Sequence, residues 1–347
     1  MSIAVANDDP FNEPMTASAP SQLPTCAYIA TGGTIAMKID PLKQAPVPAL
    51  SGEDLLAAVP AITAIARLEV NNLSNVPSDY MGPQRWIELH RAISSALAKD
   101  DVAGVIVSHG TDTLEETAWF LDLTTDTHKP IVLTGAQRNA SASDFDGPRN
   151  LLNAARVCLS PDARGKGAVV VLNNQINAAR EVTKAHTADV EAFRSGDFGF
   201  LGTVDEDRVV FARSPVRRQF IRLERDTLPY VEIVPMYAGA DGGLVRAALK
   251  LGARGIVIQA LGFGNVNAEM YEAIREAIMA DVPVVISTRV PNGRVLPVYG
   301  FVGGGSTLKA AGSIFADNLS PQKARILLML ALQNSSAQED IQRLFDR

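Results

Sequence analysis

The chain has 347 residues, 47% apolar and 20% charged, with a net charge of −6. That balance supplies a sizeable core and argues against disorder and against nucleic acid as the main partner. Its two cysteines, Cys26 and Cys158, form no framework, and its four histidines show no ligand spacing, so no metal site is expected.

In chain order, residues 1–24 read as a polar tail, with Asp8, Asp9 and Glu13 among Pro, Ser and Ala and no basic-then-apolar order of a secretory signal. No segment reaches the ~20 apolar residues of a membrane span, so no membrane contact and a cytoplasmic location are expected. The run "CAYIA" reads as a strand and leads into "TGGT". Adjacent glycines permit positive φ and close approach, and Thr31 and Thr34 flank them with hydroxyls. A phosphate loop, a tight turn and a hydroxyl nucleophile at a strand end all fit. The GxGxxG and GxxxxGK[ST] fingerprints are absent, which disfavours a nucleotide, and no cofactor is expected. Next, "MKIDPLKQAPVPALSGED" carries Pro41, Pro46 and Pro48 and reads as a stiff surface segment.

Helical patterns then alternate with short apolar runs. "GPQRWIELHRAISSALAKD" precedes the strand "VAGVIVS", which opens into "SHGTDT". In "TLEETAWFLDLTT", Leu114, Ala118 and Leu121 share a face, and Thr113 and Glu116 have capping-box spacing. Glu115 and Glu116 read as complements to the helix dipole. "KPIVLTG", the helix "GPRNLLNAARVCLS" and "GAVVVLN" follow, and then "REVTKAHTADV" with Lys184. Continuously apolar strands between helices indicate a parallel sheet buried on both faces. "ARSPVRRQFIRLERDTLP" reads as a linker with Arg217-Arg218 in a solvated loop. A smaller alternating set follows it, ending in a helix opened by Ser320-Pro321. The expectation is two α/β domains with a largely parallel sheet, at 25–211 and 229–347, joined by 212–228.

Ligands of such sheets sit at the carboxyl ends of the strands. Thr34, Thr111-Asp112, the backbone near Ala136 and Lys184 all lie in loops of that kind. Taken singly they read as a turn, a helix cap and a surface lysine, and His109 as a structural imidazole. Together, a hydroxyl beside a lysine and a carboxylate has the logic of an activated nucleophile.

The set "TGGTIA", "HGTDTLEETA", "VLTGAQR" with "DGPRNLLNA", "REVTKAHTADVEAF", "SPVRR" and "LSPQKARILLMLAL" resembles the bacterial-type asparaginase/glutaminase family, from Tyr28 to the end. The resemblance implies an amidohydrolase in which Thr34 attacks the side-chain amide of L-asparagine, forming an acyl-enzyme that water hydrolyses. It implies Thr111, Asp112 and Lys184 as the second catalytic group, with Lys184 polarising Thr111 and Asp112 also holding the substrate α-ammonium. Ser78 and Asp79 would meet the α-carboxylate and α-amine, and backbone NH groups of Thr111 and around Ala136 the oxyanion. A homodimer or homotetramer with shared sites is implied, Asn267 reaching across. Three departures stand out: residues 37–54 contain no tyrosine, Asp79 stands where many members have glutamine, and "RVPNGRVLPVYG" has no carboxylate. The resemblance also allows L-glutamine as a second substrate; the departures make an amidase for another small amide or a cyclic imide the alternative reading, and a silent amino-acid-binding protein is the alternative of another class. Tyr80 and the Thr111–Lys184 group are the candidate acceptors of the Thr34 proton.

Overall fold

The computed structural model describes residues 23–347, so the expected tail lies outside the described residues except for Leu23 and Pro24. The chain begins with β1 (Thr25–Gly32), a hairpin of β2 (Met37–Asp40) and β3 (Ala45–Pro48), α1 (Gly52–Ala57), β4 (Arg67–Val76) and α2 (Pro83–Leu97). It continues through β5 (Val102–Ser108), α3 (Leu114–Thr124), β6 (Ile131–Thr134), α4 (Gly147–Leu159), β7 (Ala168–Leu172) and β8 (Gln175–Ala178). The short pair β9 (Thr183–Lys184) and β10 (Phe193–Arg194) precedes β11 (Gly202–Val204) and β12 (Val209–Phe211). Residues 212–230 contain no helix or strand. After them come β13 (Val231–Pro235), α5 (Gly243–Lys250), β14 (Gly255–Ala260), α6 (Ala268–Met279) and β15 (Val284–Thr288). The chain closes with α7 (Gly305–Ala310), β16 (Ile314–Phe315), α8 (Pro321–Asn334) and α9 (Gln338–Phe345).

The first sheet has the order β12-β11-β8-β7-β6-β5-β1-β4. Its strands from β4 to β7 pair in parallel, while β8, β11 and β12 add an antiparallel flank. The second sheet, β13-β14-β15-β16, is parallel throughout. The fold is α/β with a largely parallel sheet, as the alternation of apolar runs and helices indicates. Every residue of β1 is buried, because strands flank both of its edges and helices cover both faces of the sheet. Register then positions the site. Ala30 pairs with Ser108, and Ser108 with Thr134, so the loops leaving β1, β5 and β6 emerge level with one another at the carboxyl edge.

Several local readings change in three dimensions. Helix α3 is buried at almost every position, not on one face, because α8 of the second domain packs against it. Its apolar core runs without a break from the first sheet into the second domain. No capping box forms at Thr113, whose hydroxyl donates to the Ser78 carbonyl at 2.7 Å. A capping box does form at Ser51 and Asp54, at the start of α1. Ser320 makes no side-chain cap, but Pro321 occupies the first turn of α8, and α9 follows where no further helix was expected. Arg217 and Arg218 are not a freely solvated pair but half-buried and ion-paired. Arg217 binds Asp317 at 2.8 Å and Arg218 binds Asp122 at 3.1 Å, so the connecting segment is fastened to both domains. Cys26 and Cys158 are buried free thiols.

Candidate active site

The two glycines after β1 are there for geometric reasons. Gly32 and Gly33 have φ of +104° and +84°, a region that side chains rarely enter. A Cβ on Gly33 would fall 2.2 Å from Gly110 Cα, and one on Gly110 would fall 2.7 Å from Ser78 Cβ. The β1 loop, the β5 loop and the Ser78 turn are therefore in backbone contact. Gly135 after β6 joins them, since a Cβ there would lie 2.6 Å from the His109 carbonyl and 3.3 Å from Thr111 Cγ2. Close approach is possible only because these positions lack a side chain.

Thr34 begins a single turn of 3-10 helix just past Gly33 and is half-buried. Its hydroxyl makes no hydrogen bond among the described residues. Thr31, by contrast, donates to the Ser108 carbonyl at 2.9 Å and is buried, so its hydroxyl is structural. Thr111 is buried, and its Oγ1 accepts from Lys184 Nζ at 2.9 Å. The same ammonium donates to Asp112 Oδ1 at 2.6 Å. The lysine side chain is mostly buried while the Asp112 carboxylate is largely exposed. A cavity of about 230 Å³ opens beside them, lined by Asp112, Lys184, Ala185, His186 and Thr187. It is smaller than the ~300–1,000 Å³ usual for drug-sized ligands, which suits a small metabolite.

Ser78 is buried and opens a single 3-10 turn, Ser78–Tyr80, while Asp79 and Tyr80 are exposed. Ala136 is fully buried directly after Gly135. The following turn is fixed by Asp146, whose carboxylate accepts the NH groups of Gln137 and Arg138. Asn267 lies in the second domain as the N-cap of α6. Its Oδ1 accepts from Met270 N at 2.9 Å, and its Nδ2 donates to the Ala240 carbonyl. The structure thus brings Ser78, Thr111, Asp112 and Lys184 together with the loops of Thr34 and Ala136, and it engages both ends of the Asn267 amide within its own chain.

Three supporting groups escaped the sequence reading. Thr113 ties the Thr111 loop to the Ser78 turn through the bond given above. Glu115, read from sequence as a dipole complement, is buried, and its Oε2 accepts the Lys184 backbone NH at 2.6 Å. The third group is the environment of His109, which sits in the β5 loop fully buried. Its Nδ1 meets the Gly110 carbonyl at 2.7 Å, and its Nε2 meets Thr117 Oγ1 at 2.9 Å. Trp86 Nε1 donates to that same hydroxyl at 3.0 Å. A neutral imidazole satisfies all three bonds, with Nδ1–H donating and Nε2 accepting. Burial pulls its pKa down to about 4, against the opposing pull of the Gly110 carbonyl. His109 is a structural group.

At the carboxyl edge of a parallel sheet the chain thus holds a buried hydroxyl against an ammonium that a carboxylate holds in turn, an arrangement chemically suited to activating a hydroxyl. The "Asparaginase, N-terminal" family model matches residues 25–217, and the "Glutaminase/Asparaginase C-terminal domain" matches residues 230–345. The chain belongs to the asparaginase family. It is 39% identical to L-asparaginase 2 of Bacillus subtilis (strain 168), over 95% of this chain and 88% of that protein. It is 41% identical to a probable L-asparaginase of Deinococcus radiodurans, over 94% of this chain and 98% of that one. Among solved structures, a probable cytoplasmic L-asparaginase from Campylobacter jejuni superposes with a TM-score of 0.85 at 34% identity, covering 93% of this chain and 99% of that one.

Proposed function

We propose that this protein hydrolyses the side-chain amide of L-asparagine to L-aspartate and ammonia, with Thr34 as nucleophile. The observation that carries the reading is the Lys184 ammonium, 2.9 Å from the Thr111 hydroxyl and 2.6 Å from Asp112. In the first step the Thr34 Oγ–carbon bond forms and the carbon–nitrogen bond breaks. The threonine proton leaves with the nitrogen, as ammonia. In the second step water adds to the acyl carbon, the Thr34 Oγ–carbon bond breaks, the water's proton passes to Thr34 Oγ, and L-aspartate leaves. Thr111, polarised by Lys184, serves these proton movements, and Asp112 binds the substrate α-ammonium. Ser78 and Asp79 bind the remaining polar ends of the amino acid. Backbone NH groups of Thr111 and around Ala136 face the oxyanion, each such donor being worth ~3 kcal/mol in the transition state. Tyr80 is 65% exposed and its hydroxyl has no hydrogen-bond partner among the described residues, so the proton route assigned here uses Thr111 and not Tyr80.

Ammonia release tests the reading directly, across L-asparagine, L-glutamine, a simple aliphatic amide and a cyclic imide. L-Asparagine is expected to be the best substrate, and Thr34→Ala is expected to abolish turnover while leaving the fold intact. Thr34→Ala activity within a few fold of the parent removes the nucleophile assignment. Ammonia from none of the four, with binding retained, would leave an amino-acid-binding protein. A homo-oligomer is part of the proposal, supported by the partly exposed aromatic run Phe263, Tyr299 and Phe301 on the second domain, and light scattering measures it. A cytoplasmic location is proposed on the two unpaired cysteines, with cell fractionation as the test.

A further inference from the structure

Lys184 sits on a strand of two residues, β9, whose only ladder partner among the described residues is the equally short β10. So short a ribbon does not by itself fix a side chain, yet the reaction proposed above needs the ammonium on Thr111 Oγ1. We propose that the second domain positions Lys184, through Gln322 and the buried carboxylate of Glu115. This rests on the reading that Lys184 acts on Thr111.

Glu115 lies in the first turn of α3, four residues after Thr111, and is only 4% exposed. Its Oε2 holds the Lys184 backbone NH at 2.6 Å, and its Oε1 accepts from Gln322 Nε2 at 2.8 Å. One carboxylate therefore indexes the backbone of the lysine against the helix whose leading loop carries the threonine. Gln322 comes from the first turn of α8, in the second domain. Its neighbour Lys323 is 3% exposed and donates to the carbonyls of Ala179 and Arg180 at 2.9 Å each, and to that of Val182. Two consecutive residues of the second domain thus hold both ends of the segment 179–184. Taking away the Gln322 amide leaves a buried carboxylate oxygen unpaired. The carboxylate then rotates toward another donor and carries the Lys184 backbone with it. A displacement of about 1 Å in a catalytic constellation can cost about 100-fold in rate.

The test compares Gln322→Leu, Glu115→Ala and Glu115→Gln by steady-state ammonia release and by hydrogen–deuterium exchange of residues 182–185. Gln322→Leu and Glu115→Ala are expected to lower kcat about tenfold or more, with KM within about twofold and the unfolding midpoint unchanged for Gln322→Leu. Both lose protection at Lys184. Glu115→Gln is expected to stay near the parent, because its oxygen still accepts the Lys184 NH and its amide pairs with Gln322 turned end for end. Parent-like kcat and exchange in Gln322→Leu overturn the proposal. So does a Glu115→Gln variant as damaged as Glu115→Ala, which would make the carboxylate's role one of charge. If the parent protein releases no ammonia, amide hydrolysis fails as a reading, and the exchange data alone decide whether Gln322 holds Lys184.

Discussion

At the scale of residues, the site separates groups that act from groups that hold them. Lys184 is proposed to act, since its ammonium bridges the Thr111 hydroxyl and the Asp112 carboxylate. Lys184→Met is therefore expected to lower kcat by about 100-fold or more, in the range of positioned acid–base groups, with a much smaller change in KM. An effect on KM alone would make the lysine a binding residue. His109 holds, and its burial makes a pH prediction. Its pKa in the folded chain is about 4, against about 6.5 unfolded, so between those values the unfolded chain binds the extra proton. The stability contributed by His109 is complete above pH 6.5 and is lost as pH falls toward 4. The shift corresponds to about 3 kcal/mol. Urea unfolding at pH 7 and pH 4 should show the parent losing about that much more than His109→Gln. Equal losses in both would mean the imidazole is not held neutral.

At the scale of elements, the β2–β3 hairpin shows how a segment with three prolines forms a ribbon. Pro48 pairs with Met37, Val47 with Lys38 and Pro46 with Ile39. Alternate residues turn their nitrogens to opposite sides, so Pro46 and Pro48 occupy the outward positions while Ala45 and Val47 face the partner strand. The root of the hairpin is pinned where the Ile39 NH donates to Ser141 Oγ at 3.0 Å and the Ala140 NH donates to the Met37 carbonyl at 2.9 Å. Val47→Pro removes an inward backbone donor from the ribbon and should open it, whereas Val47→Thr keeps that donor. The expected result is a KM raised several fold in Val47→Pro with kcat nearly unchanged, because the assigned proton route does not pass through the hairpin. A collapsed kcat at constant KM would place a catalytic group in the hairpin.

At the scale of the whole molecule, charge fastens the second domain to the loops of the first. Asp317, after β16, pairs with Arg217 and Arg294 and lies 3.8 Å from Arg180. Burial pushes the Asp317 carboxyl upward, but hydrogen bonds and charge from Arg294 and Arg217 outweigh it and hold it below the ordinary carboxylate range. Its contribution to stability is present above the unfolded pKa of about 3.9 and lost as pH falls through the folded value. Arg180 is itself buried beside Trp119, so removing the Asp317 carboxylate takes away one of the negative charges that offset it, alongside Glu181. Asp317→Asn is expected to cost about 3–5 kcal/mol, the range for breaking a buried ion pair. Denaturant titration at neutral pH measures it, and a loss under 1 kcal/mol would show that the cluster behaves as a surface pair.

What could be read without a structure was what adjacent residues decide among themselves. Apolar runs of strand length between helical patterns determined the α/β class, and Gly32-Gly33 after β1 determined a loop that only glycine can make. The loops bearing Thr34 and Thr111-Asp112 were legible for the same reason, because each directly follows an apolar run, whereas Lys184 by itself reads as a surface lysine. Partnership of charged and amide side chains was not legible. Glu115 meets the Lys184 backbone across 69 positions and Gln322 across 207, and Arg217 meets Asp317 across 100. In sequence, a glutamate in a first helical turn or an arginine pair in a proline-rich stretch looks solvated, because solvent is the default neighbour of a charge. For Glu115 the packing of α8 onto α3 excluded that solvent, and a charge deprived of water is stable only where folding has brought it a partner.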